Sequence, residues 1–106
     1  MSNARERDQD LRAFIQETFA FEVGLARTDI LTDGLTMADV VRQSPKIVNS
    51  VDLMECFART SNAVRKKLGI RVRLPAYPLD TPITTIVDAF IEQVAQQRAK
   101  ELLPNA

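Results

Sequence analysis

The 106-residue chain contains no histidine, no tryptophan and one cysteine, Cys56. A lone cysteine cannot form an internal disulfide or a cysteine-based zinc site. The missing histidine removes the commonest general base and the commonest metal ligand. No apolar run approaches the ~20 residues that a membrane span needs, and no signal peptide is visible. These absences argue against an enzyme, a metal site and a membrane protein.

The charges are balanced, with 14 Lys and Arg against 14 Asp and Glu. The chain as a whole is therefore not an electrostatic binder of nucleic acid. Its 45% hydrophobic and 26% charged residues are ordinary for a globular domain, and its length suits a single core. We expect a cytoplasmic monomer that acts as a carrier or an interaction module.

Apolar residues recur at helical spacing along the chain, which predicts an all-α fold. We expect a four-helix bundle with a long loop between the first helix and a helix that begins at Ser50. Residues 1–9 are expected to be disordered, residues 10–97 to form the domain, and residues 98–106 to be a partly helical tail.

Local signals predict where the first two helices begin and end. Asp10 is the expected cap of the first helix, and Gly24 its end. Inside the long loop, Thr36 is followed three residues later by Asp39, which is typical of a short capped helix.

The central helix is predicted over Ser50–Leu68, with Gly69 ending it, although a start at Ser44 with Pro45 first is an alternative. Its expected apolar face comprises Val51, Met54, Phe57, Ala58, Ser61, Val64 and Leu68, with Cys56 a small buried neighbour. The following "IRVRL" is interpreted as an extended connection.

The last helix has the clearest start signal in the chain. Thr81 is the expected cap, with Pro82 in the first helical position, where its missing N–H costs nothing. Its expected buried stripe comprises Ile83, Val87, Phe90 and Val94.

Ser50 stands directly after Asn49 at the start of the central helix. Such a pair most often only caps a helix. However, "NSVDLMEC" resembles the serine motif of acyl and peptidyl carrier proteins, Asp-Ser-Leu followed by Asp-x-x-Glu. Ser50, Asp52 and Glu55 match that motif, Val51 replaces its leucine, and Asn49 stands where the family usually has aspartate. "LGIRVRLP" and "ITTIVDAFI" are similar to later segments of such carriers, in the same order.

The resemblance implies that Ser50 carries 4′-phosphopantetheine, derived from coenzyme A, and that acyl groups travel on it as thioesters. The implied partners are a phosphopantetheinyl transferase and enzymes that load and process acyl groups in a specialised fatty-acid, polyketide or peptide pathway. The expected partner-recognition residues are Asn49, Val51, Asp52, Glu55, Arg59 and Lys66. The expected lining of an acyl cavity is Met54, Phe57 and Val87.

Two other functions remain open at this point. One is a carrier-fold interaction module that is never modified. The other is a small helical nucleic-acid binder that uses the basic segment 59–73. No acidic residue lies between Glu55 and Asp80, whereas six basic residues do. That asymmetry indicates either a solvated face or a docking surface for acidic partners.

Overall fold

The computed structural model describes residues 4–31 and 34–102, and the side chains of residues 9–31 and 34–100. This part of the chain folds into five α-helices: α1 (Ala4–Val23), α2 (Arg27–Ile30), α3 (Met37–Gln43), α4 (Ser50–Leu68) and α5 (Ile83–Leu102). It contains no strand, only an isolated bridge between Thr36 and Pro82. The all-α prediction is therefore confirmed for the described residues. The one-turn helix α2, which lies in the long loop, was not predicted.

Helix α1 begins earlier than the sequence analysis expected. It starts at Ala4, so Asp10 lies inside the helix instead of capping it, and residues 4–9 belong to the helix. The stretch "ARERDQD" explains this, because alanine, arginine, glutamate and glutamine favour helix and nothing there breaks it. At the other end Gly24 terminates α1 as predicted, with φ of +74°.

The ends of α5 also differ in detail from the prediction. The helix continues to Leu102, so it includes residues 98–102 of the expected tail. Residues 1–3 and 103–106 lie outside the described residues. Its start is one residue later than predicted, because residues 81–83 pair in extended form with residues 35–37 at the start of α3. The Met37 N–H donates to the Thr81 carbonyl (3.0 Å) and the Ile83 N–H donates to the Leu35 carbonyl (2.8 Å).

The capping signals before α3 and α4 are confirmed. Thr36 and Asp39 form a reciprocal capping box, and these hydrogen bonds, with Arg42 nearby, hold the pKa of Asp39 below its ordinary value. Ser44 ends α3 and does not start α4, so the alternative start is wrong. Its hydroxyl donates to the Val23 carbonyl and accepts from the Lys46 and Ile47 N–H groups.

The core is built where α4 packs against α1. The rings of Phe19 and Phe57 stack with centroids 4.9 Å apart and an interplanar angle of 4°. Helix α5 adds the expected buried stripe of Ile83, Val87, Phe90 and Val94, together with Ile86.

The expected apolar face of α4 is partly wrong. The side chains that α4 buries are Leu53, Cys56, Phe57, Thr60 and Val64. Val51 and Met54 are instead 63% and 45% exposed. Two apolar stripes overlap on this helix, and packing against α1 selects the one that contains Leu53.

Residues 70–78 form neither helix nor strand, as predicted for "IRVRL". The chain reverses at Gly69, whose φ is +72°. Ile70 and Val72 are buried, and the Ser61 hydroxyl donates to the Val72 carbonyl at 2.6 Å. The segment therefore runs back along α4.

Within the described residues, no helix is both long and apolar enough to cross a membrane.

The orientation of α4 predicts unequal effects of two truncations. Leu53→Ala should lower the free energy of unfolding by about 2–5 kcal/mol, because it leaves a cavity in the core. Val51→Ala, its matched control on the same helix, should change it by less than about 0.5 kcal/mol. Urea unfolding followed by circular dichroism measures both. A larger loss for Val51→Ala would mean that the originally expected stripe is the buried one.

Candidate functional site

Ser50 is the first residue of α4 and is exposed. Its hydroxyl makes no hydrogen bond to any residue whose side chain the structure describes. Asn49 caps the helix instead, its Oδ1 accepting from the Asp52 N–H at 3.0 Å. The Asp52 carboxylate in turn accepts from the Val48 N–H at 2.9 Å. This reciprocal pair fixes the start of α4 and leaves the Ser50 hydroxyl free for chemistry.

The surroundings of Ser50 favour a negative group there, within limits. In the described part of the chain, the N–H groups of Ser50 and Val51 have no hydrogen-bond acceptor, as is usual in a first helical turn. The helix dipole stabilises an exposed anion at this end by roughly 0.3–1 kcal/mol. The Asp52 carboxylate already interacts with this end of the helix dipole. The additional stabilisation of a phosphate on Ser50 therefore lies at the low end of this range.

Exposed apolar side chains surround the serine. Val48, Val51 and Met54 are 83%, 63% and 45% exposed, and Val51 and Met54 lie three residues apart on one face of α4. Clustered exposed apolar groups are typical of surfaces that bind other proteins. The start of α4 is therefore suited to a partner.

Phe21, near the end of α1, is a further exposed apolar residue that the sequence analysis missed. It is 73% exposed, and the Lys46 ammonium lies 5.3 Å from the centroid of its ring. Phe21 lies off the buried stripe of α1, which comprises Leu11, Ile15, Phe19 and Val23. The signal in the sequence that could have predicted an exposed Phe21 is its position off the apolar stripe of α1.

The six expected partner-recognition residues fall into two groups. Asn49 and Asp52 are engaged in capping, whereas Val51, Glu55, Arg59 and Lys66 are exposed. Arg59 is not a free cation, because its guanidinium lies 3.5 Å from the Glu22 carboxylate and 4.0 Å from that of Glu55. Within the basic segment 59–73, the basic residues without a described acidic partner lie after Arg59.

A groove of about 500 Å³ runs between α4 and residues 71–74. Its apolar lining is Met54, Phe57, Ala58, Val72 and Leu74, and its polar lining is Ser61, Asn62, Arg65, Arg71 and Arg73. Met54 and Phe57, two of the three residues expected to line a cavity, both line this groove. Val87 does not, because it is buried on α5.

Cys56 is buried beneath the site, as predicted, and its thiol lies 3.5 Å from the Glu22 carbonyl. Burial raises the pKa of the Cys56 thiol, and the Glu22 carboxylate adds to the increase. The thiol is therefore neutral at pH 7 and a poor nucleophile.

Within the described residues, no three His, Cys, Asp or Glu side chains are grouped closely enough to hold a metal ion.

Comparisons of the chain with family models, with curated proteins and with solved structures found no match in any of the three. The function of this site is therefore inferred from its residues and geometry.

The division of roles between Asn49 and Ser50 is testable by stability. Asn49→Ala should lower the free energy of unfolding by about 1 kcal/mol, because it removes the cap. Ser50→Ala should change it by less than about 0.5 kcal/mol, because it removes no hydrogen bond. Asn49→Asp is the matched control and should keep the cap. Urea unfolding measures all three, and an equal loss for Ser50→Ala would make the serine a structural cap.

Proposed function

We propose that the chain is an acyl carrier protein that bears 4′-phosphopantetheine on Ser50. The observation that carries this proposal is the free, exposed hydroxyl of Ser50 at the first turn of a 19-residue helix whose cap is supplied by Asn49. The match of Ser50, Asp52 and Glu55 to the carrier motif adds to it. The cargo belongs to a specialised fatty-acid, polyketide or peptide pathway.

The modification joins the Ser50 oxygen to the phosphorus of phosphopantetheine. The pyrophosphate bond of coenzyme A breaks, the nucleotide half leaves, and the serine proton passes to a base on the transferase. The residues of this chain fit the product, since the N–H groups of Ser50 and Val51 are available to a phosphodiester. When attached, the arm supplies a terminal thiol that holds acyl groups as thioesters.

The exposed apolar residues beside Ser50 support the proposed partners. A transferase or an acyl-processing enzyme must contact the chain around the serine. Val51 and Met54 offer it apolar area, and the exposed pair of Glu55 and Arg59 places charges of both signs at the edge. Rim charges of this kind steer encounter and fix orientation more than they add affinity.

An interaction module that is never modified is the second candidate. The same exposed Val48, Val51 and Phe21 favour it, because a protein-binding surface needs no attachment to the serine. The nucleic-acid hypothesis has less support, since Arg59 is paired with carboxylates and the chain has no net charge.

Incubation with coenzyme A and a broad-specificity phosphopantetheinyl transferase should add one phosphopantetheine to the wild-type protein. Ser50→Ala should gain none, although its stability is unchanged. Thr84→Ala, which removes an exposed hydroxyl of α5 that has no described hydrogen-bond partner, is the control and should be modified like the wild type. Intact mass spectrometry reads all three.

The outcome against the proposal is an unmodified wild-type protein in the presence of a transferase that modifies another carrier. That result would favour the interaction module.

A further inference from the structure

We propose that the groove between α4 and residues 71–74 holds an apolar chain that ends in a carboxylate. The source we assign to this ligand is the cargo on the Ser50 arm, and only that assignment rests on the proposed function. Binding of the chain itself depends on the groove alone.

The floor of the groove is apolar and concave. Met54, Ala58 and Leu74 present aliphatic groups there, and the Phe57 ring closes the side toward the core. The volume of about 500 Å³ lies within the range of ~300–1,000 Å³ that is usual for small-molecule sites. Burial of an alkyl chain on this floor is favourable by the hydrophobic effect.

The rim carries three arginines and no acidic residue. Arg65, Arg71 and Arg73 line the groove, and none lies within ion-pair distance of a described carboxylate. By contrast, Arg12, Arg27, Arg42 and Arg59 each pair with an acidic side chain. A guanidinium binds a carboxylate through two parallel hydrogen bonds. The groove is thus complementary to a ligand with a negative end.

The dipole of α4 does not account for this cluster. A cation in the last turn of a helix, such as Arg65, is stabilised by the helix C-terminus. Arg71 and Arg73, however, lie beyond Gly69, outside the helix. Their position follows from the extended segment, in which Ile70 and Val72 are buried and the alternate residues face outward.

The segment that carries these arginines is anchored on both sides. Ser61 holds it to α4 through the Val72 carbonyl. The Gln93 side chain holds it to α5, accepting from the Arg73 N–H at 2.9 Å and donating to the Arg73 carbonyl. The backbone that carries Arg71 and Arg73 is therefore held in place. This lowers the entropic cost of ordering their side chains around a ligand.

The groove also has a direction relative to Ser50. Met54 lies one turn after the serine, and Arg65 lies 15 residues after it, about 22 Å along the helix axis. Met54 therefore lies at the end of the groove nearer to Ser50, and Arg65 lies at the far end. A cargo chain that enters beside Met54 has its carboxylate at the end far from the thioester.

The experiment compares decanoate with decan-1-ol and decyltrimethylammonium, which share a ten-carbon chain and differ in charge. Calorimetry gives the Kd, and amide chemical shifts of the ¹⁵N-labelled protein give the location. The unmodified wild-type protein should bind decanoate about tenfold more tightly than the alcohol, because a charge-assisted hydrogen bond is added. The ammonium should bind most weakly. The shifts should concentrate at Met54, Ala58, Asn62 and Arg71.

Two double variants distinguish an effect of the groove arginines from an effect of the overall positive charge of the protein. Arg71→Gln with Arg73→Gln should reduce decanoate binding to that of the alcohol. Lys67→Gln with Lys100→Gln removes the same charge from exposed sites that do not line the groove, and should leave the tenfold preference intact.

Equal binding of the three probes, or shifts confined to another face, would overturn the proposal. So would slower enzymatic loading of the arginine variant without decanoate binding to the wild type, since that result would assign the arginines to an acidic partner. Because no probe requires a modified Ser50, a failure here is distinct from a failure of the transferase test.

Discussion

The packing of α4 on α1, centred on the stacked rings of Phe19 and Phe57, determines the rest of the site. Successive residues of a helix point about 100° apart, so burying one side chain fixes where every other one points. With Leu53, Phe57 and Val64 turned toward the core, Val51 and Met54 must face solvent. The apolar surface beside Ser50 is thus a consequence of the way α4 packs.

Phe57 connects this core to the groove. Its ring stacks on Phe19, and the same residue lines the space between α4 and residues 71–74. The other wall exists because the chain reverses at Gly69 and is held by Ser61 and Gln93. Core packing and the return of the chain therefore act together, and neither alone would form a concave surface.

The parts of the fold that depend on local chemistry could be predicted from the sequence. The limits of α4, the cap by Asn49, the end at Gly69 and the Thr36–Asp39 box all follow from residues within a few positions of one another. Such signals act through hydrogen bonds to the nearest backbone groups and need no knowledge of the tertiary fold.

The features that were missed depend on contacts distant in sequence. The two stripes of α4 share Phe57 and Val64, so periodicity could not distinguish them, and only the position of α1 does. The late start of α5 follows from pairing between residues 35–37 and 81–83. Val87 has an apolar side chain of the kind that can line a cavity, yet it is buried in the core and does not line the groove.

The central claim is that Ser50 is an attachment point rather than a cap. The Ser50 hydroxyl has no hydrogen-bond partner in the described fold, and Asn49 beside it performs the capping. The most direct test is the intact mass of the protein purified from its own host, followed by mapping of the peptide that contains Ser50. The account predicts a population that carries one phosphopantetheine on that peptide. A peptide found only with an unmodified Ser50, while another carrier protein from the same cells is modified, would contradict it.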